Sequence, residues 1–170
     1  SSRGPEVTSF GDPGIVISKI YRVKRSKTNG RGVLVRHFSH SSANLKLPSK
    51  IDELSVMMSR PKDIKEFVTK LNEYDYVITS AMHVMITCQS YGIPCALVTF
   101  EGYEENVHGS GIKYEDYALG AGVEVMNPIV LPTDLSKTNL KKLTKTIKVS
   151  SKKISEVEGH IKTAIAMVLK

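Results

Sequence analysis

Arg36, His37 and His40 fall within the stretch "VRHFSH", and His83 closes the stretch "YVITSAMH". Both stretches are apolar runs that end in groups able to move a proton or hold an anion. An imidazole titrates near neutrality and can give or take a proton, and a guanidinium grips carboxylate or phosphate oxygens through a planar fork. Ser80, directly after "YVIT", carries a hydroxyl suited to capping a helix, and the first amides of that helix would favour an anion. Against this stands a plainer reading, in which His83 packs inward against a carbonyl and "VRHFSH" is an ordinary surface loop. No metal site is expected, because Cys88 and Cys95 stand seven apart and no His, Cys, Asp or Glu spacing matches a ligand set. Gly109 and Gly111 make neither a dinucleotide fingerprint nor a phosphate loop; "EGYEENVHGSG" reads as a mobile loop or a lid.

The elements that must position these groups follow from apolar pattern and punctuation. "GVLVRHF" (32–38) is entered from a turn at "KTNGRG", and "LSVMMS" (54–59) is a second candidate strand. Pro61 opens a helix in which Ile64, Phe67, Val68 and Leu71 recur at helical spacing. "YVITS" (76–80) is a buried strand and "AMHVMITCQSYG" a helix closed by Gly92, with Ser80 as its N-cap. "PCALVTFEG" (94–102) is the next strand, "IKYEDYALGAG" a short helix, and "EVMNPIVLP" an edge strand limited by Pro128 and Pro132. Two lysine-rich helices, near 134–147 and 150–169, finish the chain; the second carries a stripe of Ile154, Val157, Ile161, Ile165 and Val168, and is expected to add little to the core.

Strands alternating with helices across short connections predict an α/β fold, a Rossmann-like parallel sheet flanked by helices. Such folds bind ligands at the carboxyl ends of their strands, where "TSAMH" and "VRHFSH" fall. The organisation expected is an entry segment (1–31), an α/β domain (32–136) and lysine-rich C-terminal helices (137–170).

The chain has 170 residues and a formal charge of +7. Residues 137–170 hold 9 lysines against Glu156 and Glu158, so the body is neutral and the arm is basic. The arm has no aromatic residue to stack bases and no arginine for base edges, which argues against nucleic acid and leaves a solvated helix pair or a peripheral contact with anionic lipid. A second basic cluster comprises Lys19, Arg22, Lys24, Arg25, Lys27 and Arg31. No run approaches the ~20 apolar residues of a membrane span. The opening "SSRGPEVTSFGDPG" has neither an apolar signal region nor an initiator methionine, as an excised fragment would. Two cysteines and no leader suit a reducing, cytoplasmic setting.

Four landmarks carry a resemblance. "YVITSAMHVMITCQSYGIPCALV" resembles the polysaccharide pyruvyl transferase segment V-[ST]-S-R-L-H followed by a helix and Gly-x-Pro. "FGDPGIVISKIY" is similar to that family's GDPG element, "GVLVRHFSH" to its strand ending in Pro-His-Tyr, and "GIKYEDYALGAG" to the element after its glycine-bearing loop. The four stand in the family's order over residues 10–122.

The resemblance implies one half of a GT-B arrangement and transfer of the enolpyruvyl unit of phosphoenolpyruvate to two hydroxyls of a sugar in a glycan or glycolipid, with no further cofactor. It implies His83 as the acid or donor-contacting residue, with Arg36, His37, Ser80 and Lys113 as substrate-binding groups. Ala81 stands where many members have arginine, which leaves Arg36 or Lys113 to supply the missing charge. The GDPG element normally lies mid-chain, so this sequence resembles the C-terminal half, the N-terminal half coming from another segment or a second subunit. Two alternatives stay open: a GT-B glycosyltransferase half binding a nucleotide sugar, with Glu101, Glu104 or Glu105 on the ribose, and a non-catalytic interaction domain on a degenerate transferase fold.

Overall fold

A computed structural model of the protein describes residues 11–56, 60–104 and 111–169. Five strands, β1 (Gly32–Val35), β2 (Ile51–Leu54), β3 (Tyr76–Thr79), β4 (Cys95–Phe100) and β5 (Ile129–Leu131), pair in the order β2-β1-β3-β4-β5. Every pairing is parallel, as the strand–helix alternation predicts. β1 and β4 are buried at every residue, which explains their unbroken apolar sequences.

Side chains alternate between two cores. Val33, Val35, Val77, Cys95 and Leu97 face a cluster that includes Leu71 of α2 (Pro61–Leu71), Met85 and Cys88 of α3 (Met82–Tyr91), Tyr117 of α4 (Ile112–Ala121) and Val157 of α5 (Ser151–Val168). Leu34, Ile78, Ala96, Val98 and Phe100 face the other, closed by Leu131, Leu135 and Leu140 with Leu45 and Leu47 at its margin. The steps β2→β3, β3→β4 and β4→β5 all run one way across the sheet, so right-handed crossovers put α2, α3 and α4 on one face. The step β1→β2 runs the other way, and its connection packs on the opposite face through Leu45 and Leu47. The chain thus changes direction between β1 and β3. Crevices at such switch points, outside the carboxyl ends of the strands, are where open α/β sheets bind ligands.

Local chemistry explains the helix ends. Pro61 occupies the first position of α2, and Asp63 accepts the Arg60 amide at 3.1 Å. Gly92 closes α3 with φ 73°, a left-handed conformation that glycine adopts without steric cost. Ser150 caps α5 by accepting the Lys153 amide at 3.1 Å.

Several expectations change. The second strand is Ile51–Leu54 rather than 54–59, and Met57, Met58 and Ser59 lie outside the described residues. Its polar centre, Asp52 and Glu53, is tolerated because these carboxylates pair with Arg31 and Arg36 at the sheet edge. The expected helix near 134–147 is instead a single 3-10 turn, Leu140–Leu143. Here the backbone is drawn into pairing, Asp134 with Lys46 and Lys145 with Cys95. The helix at the C-terminus forms, yet its first two turns belong to the main core through Ile154 and Val157. Only its distal part stands off the body, with Ile165, Met167 and Val168 exposed. Among the described residues no helix is long and apolar enough to cross a membrane.

Candidate functional site at the β1–β3 switch point

The carboxyl ends of β1 and β3 are laced together. Thr79 Oγ1 donates to the Val35 carbonyl at 2.8 Å, and the Ser80 amide donates to the same carbonyl at 3.2 Å. Ser80 Oγ accepts the His37 amide at 2.9 Å and lies 2.9 Å from His40 Nδ1. His40 is 1% exposed, with its ring edge-on to Phe100 and Tyr103. Burial holds the His40 imidazole below its ordinary pKa; the Tyr103 backbone works against that shift, and His37 and Arg36 add to it. His40 is therefore a neutral core histidine near neutral pH.

These bonds correct the role expected of Ser80. The N-cap of α3 is Ala81, without a side-chain cap, and its amide is held by Thr79 Oγ1 at 3.0 Å. With the helix starting one residue later, the Ser80 hydroxyl turns towards β1 and fixes the His37 backbone.

His83 occupies the second position of α3 and is exposed. The plain reading of His83 as an inward-packed core histidine is thereby removed. The first amides of α3, which have no intrahelical acceptor, open at the carboxyl end of β3, next to the end of β1 that leads into His37. Ala81, by contrast, is buried in the main core.

Beside this edge a cavity of about 800 Å³ opens between the ends of β1 and β2, with Arg36, His37, Phe38, Glu53, Ser55 and Val56 among its walls. His37 Nδ1 accepts the Ser39 amide at 3.2 Å and lies 2.7 Å from Ser39 Oγ, and the His37 ring packs on Phe38 at 4.1 Å. In the neutral ring this arrangement assigns the proton to Nε2. Arg36 is well occupied: Nε meets Glu53 Oε1 at 2.6 Å, and Nη1 donates to the carbonyls of Ala43 at 2.7 Å and His40 at 3.3 Å.

Lys113 lies in the first turn of α4, with Nζ 5.0 Å from the Tyr114 ring centroid, and neither it nor Ser80 nor His83 lines this cavity. Glu101 and Glu104 are exposed beyond β4, while Glu105 and most of the glycine-bearing loop lie outside the described residues. No group of three or more His, Cys, Asp or Glu suited to a metal ion exists among the described residues.

The family model for polysaccharide pyruvyl transferase matches residues 3–101, more than half of the chain. The chain belongs to that family. The matched part of this pyruvyl transferase family member runs through β4 and contains Arg36, His37, Ser80 and His83; Lys113, β5 and α5 follow it. No curated protein and no solved structure matches the chain.

Sequence reasoning missed two partners. Glu53 escaped because the second strand was placed too late: in the true register Glu53 pairs with Leu34, two residues before Arg36 and on the same face. The His40–Ser80 bond joins residues forty apart, and no local spacing announces it.

Proposed function

We propose that this chain holds phosphoenolpyruvate at the β1–β3 switch point and forms the donor side of an enzyme that makes a cyclic pyruvate ketal on a glycan or glycolipid. The observation carrying this reading is the bond between the His37 amide and Ser80, which brings His37 beside the start of α3, where His83 is exposed. His83 gives a proton to the donor's methylene carbon, and C2 becomes an oxocarbenium-like electrophile. One sugar hydroxyl forms a bond to C2 and loses its proton. The C2–O bond to phosphate then breaks, phosphate leaves, and a second hydroxyl closes the ketal with loss of its own proton. The net change joins one phosphoenolpyruvate and one diol into a ketal and inorganic phosphate.

The amides opening α3, the His37 Nε2–H and, after exchange of its Glu53 partner, Arg36 hold the donor's anionic groups. Another segment or subunit supplies the acceptor side. The experiment is thermal unfolding of the chain with phosphoenolpyruvate and, separately, with UDP-glucose. A ligand at ten times its Kd adds about 1.4 kcal/mol of stability. Stabilisation by phosphoenolpyruvate that falls in His83→Ala, with the unliganded midpoint unchanged, is the expected result. Stabilisation by UDP-glucose alone would overturn the reading in favour of a nucleotide-sugar enzyme.

A further inference from the structure

The two basic stretches of the sequence meet on the edge of the sheet opposite the switch point. α3 runs from the carboxyl end of β3 back towards the amino end of β4, so its last residue, Tyr91, lies at that far edge. There an open groove of about 350 Å³ is lined by Arg22 and Lys24 after α1 (Ile17–Ile20), by Tyr91, and by Lys148, Ser151 and Ile154 at the entry to α5. A second lobe of about 260 Å³ shares Arg22, Ser151 and Ile154.

Most other cations of the two stretches are committed. Lys19 pairs with Glu158, Arg31 with Asp52, Lys145 with Glu124 and Lys153 with Glu156. Arg25 is bound to the carbonyls of Asn72 and Asp75. Among the described residues no carboxylate forms an ion pair with Arg22, Lys24 or Lys148, and none lines the groove. The Tyr91 hydroxyl is spent on the Tyr21 carbonyl at 2.5 Å. The Lys148 stem passes over Gly92, where an added Cβ would stand 3.1 Å from Lys148 Cδ, and Lys148 lines the groove. Three positive charges with no carboxylate partner among the described residues thus line one concavity, Arg22 and Lys24 on one wall and Lys148 on the other.

We propose that this groove is a second anion site, separate from the switch point, and that it takes a phosphomonoester or diphosphate group. Cations on two sides of the groove match the oxygens of a tetrahedral phosphate, which point in several directions, better than the two coplanar oxygens of a carboxylate. The Arg22 fork adds bidentate geometry. The groove is open, so the phosphate can carry a bulky substituent, whether a soluble sugar phosphate or a lipid headgroup, and binding weakens as salt rises.

The test uses the whole chain at low salt, with pyrophosphate titrated by calorimetry and vesicles of phosphatidylcholine with or without phosphatidic acid followed by sedimentation. One pyrophosphate per chain is expected. Arg22→Gln combined with Lys148→Gln should weaken it roughly tenfold or more, while Lys148→Arg retains binding. Lys142→Gln, an exposed charge outside the groove, should leave it unchanged. Sedimentation with phosphatidic acid that the double variant loses identifies a headgroup as the source; pyrophosphate binding without sedimentation identifies a soluble phosphate compound. Absence of saturable binding, equal binding by the double variant, or equal binding of acetate would overturn the proposal. Phosphoenolpyruvate stabilisation that depends on His83 in both backgrounds reports the switch point separately, so either site can fail alone.

Discussion

Replacing Ser80 by alanine removes one hydroxyl and leaves two groups without their partner. The His37 amide loses its acceptor at 2.9 Å, and His40 Nδ1 loses its contact at 2.9 Å inside a site only 1% exposed. His40 Nε2 has no well-formed hydrogen bond in the structure, so the variant imidazole would keep only its approach to the Tyr103 backbone. A buried polar group left unsatisfied costs about 1–3 kcal/mol, and the part-buried His37 amide falls at the low end. The expected loss is therefore about 2–3 kcal/mol, or roughly 4–12 °C in the unfolding midpoint for a chain of this size. The assay is urea unfolding of four proteins: the parent, Ser80→Ala, His40→Phe and the double variant. Phenylalanine fits beside Phe100 and Tyr103 and has no polar atom to orphan. The double variant should recover about 1 kcal/mol relative to Ser80→Ala, a coupling that two independent sites would not show. A loss below about 0.5 kcal/mol in Ser80→Ala, or strict additivity in the cycle, would refute the idea that this bond sets the geometry of the switch point.

Other outcomes follow from the same structure. Gly32→Ala should cost about 1–3 kcal/mol by overpacking, because its Cβ would stand 2.5 Å from Tyr76 Cε2 and 2.6 Å from Ile51 Cδ1; urea unfolding measures it. Because burial lowers the His40 pKa, the unfolded chain binds the proton more readily, so this residue's contribution to stability is complete above its ordinary value of 6.5 and is lost as pH falls from there towards the depressed value. Unfolding midpoints across that window should slope downwards on acidification in the parent and lose this component in His40→Phe. Val157→Ala, in the main core, should cost about 2 kcal/mol. Removal of residues 162–170 should leave the midpoint nearly unchanged, because the described side chains there are exposed.

Much of the sheet was legible because its strands are apolar on both faces and end at Gly, Pro or Ser. β2 was misplaced for the opposite reason: an edge strand carrying Asp52 and Glu53 looks like a turn until the arginines facing it are known. The 134–147 segment misled because leucines and lysines at helix-like intervals hide a backbone committed to Lys46 and Cys95. The place of His83 just after a buried strand was readable, and the structure leaves it exposed in the first turn of α3. The hydroxyl of Ser80 was assigned to the nearest helix, since sequence favours local partners, whereas the fold offered a better one across the switch point.

Ala81 raises the question of where a donor-binding charge would come from. Its side chain is 6% exposed and belongs to the main core, so a long cation at this position would have to leave that packing to reach the crevice. Arg36, just past the end of β1, is the candidate replacement, but Glu53 covers its Nε and Nη2 edge, at 2.6 and 2.5 Å. An anionic donor that uses this edge must first displace Glu53, whose side chain is 40% exposed and free to swing into solvent. Glu53→Gln keeps a hydrogen-bonding neighbour while removing the competing charge. If Arg36 holds the donor, this change should tighten phosphoenolpyruvate binding several-fold, about 1 kcal/mol, with the gain shrinking as salt screens the site. If Arg36 serves only to brace the loop through the carbonyls of His40 and Ala43, the affinity should stay level while Arg36→Met destabilises the fold. Calorimetric titration of the parent and Glu53→Gln separates the two roles, and unchanged affinity would remove Arg36 from the donor site.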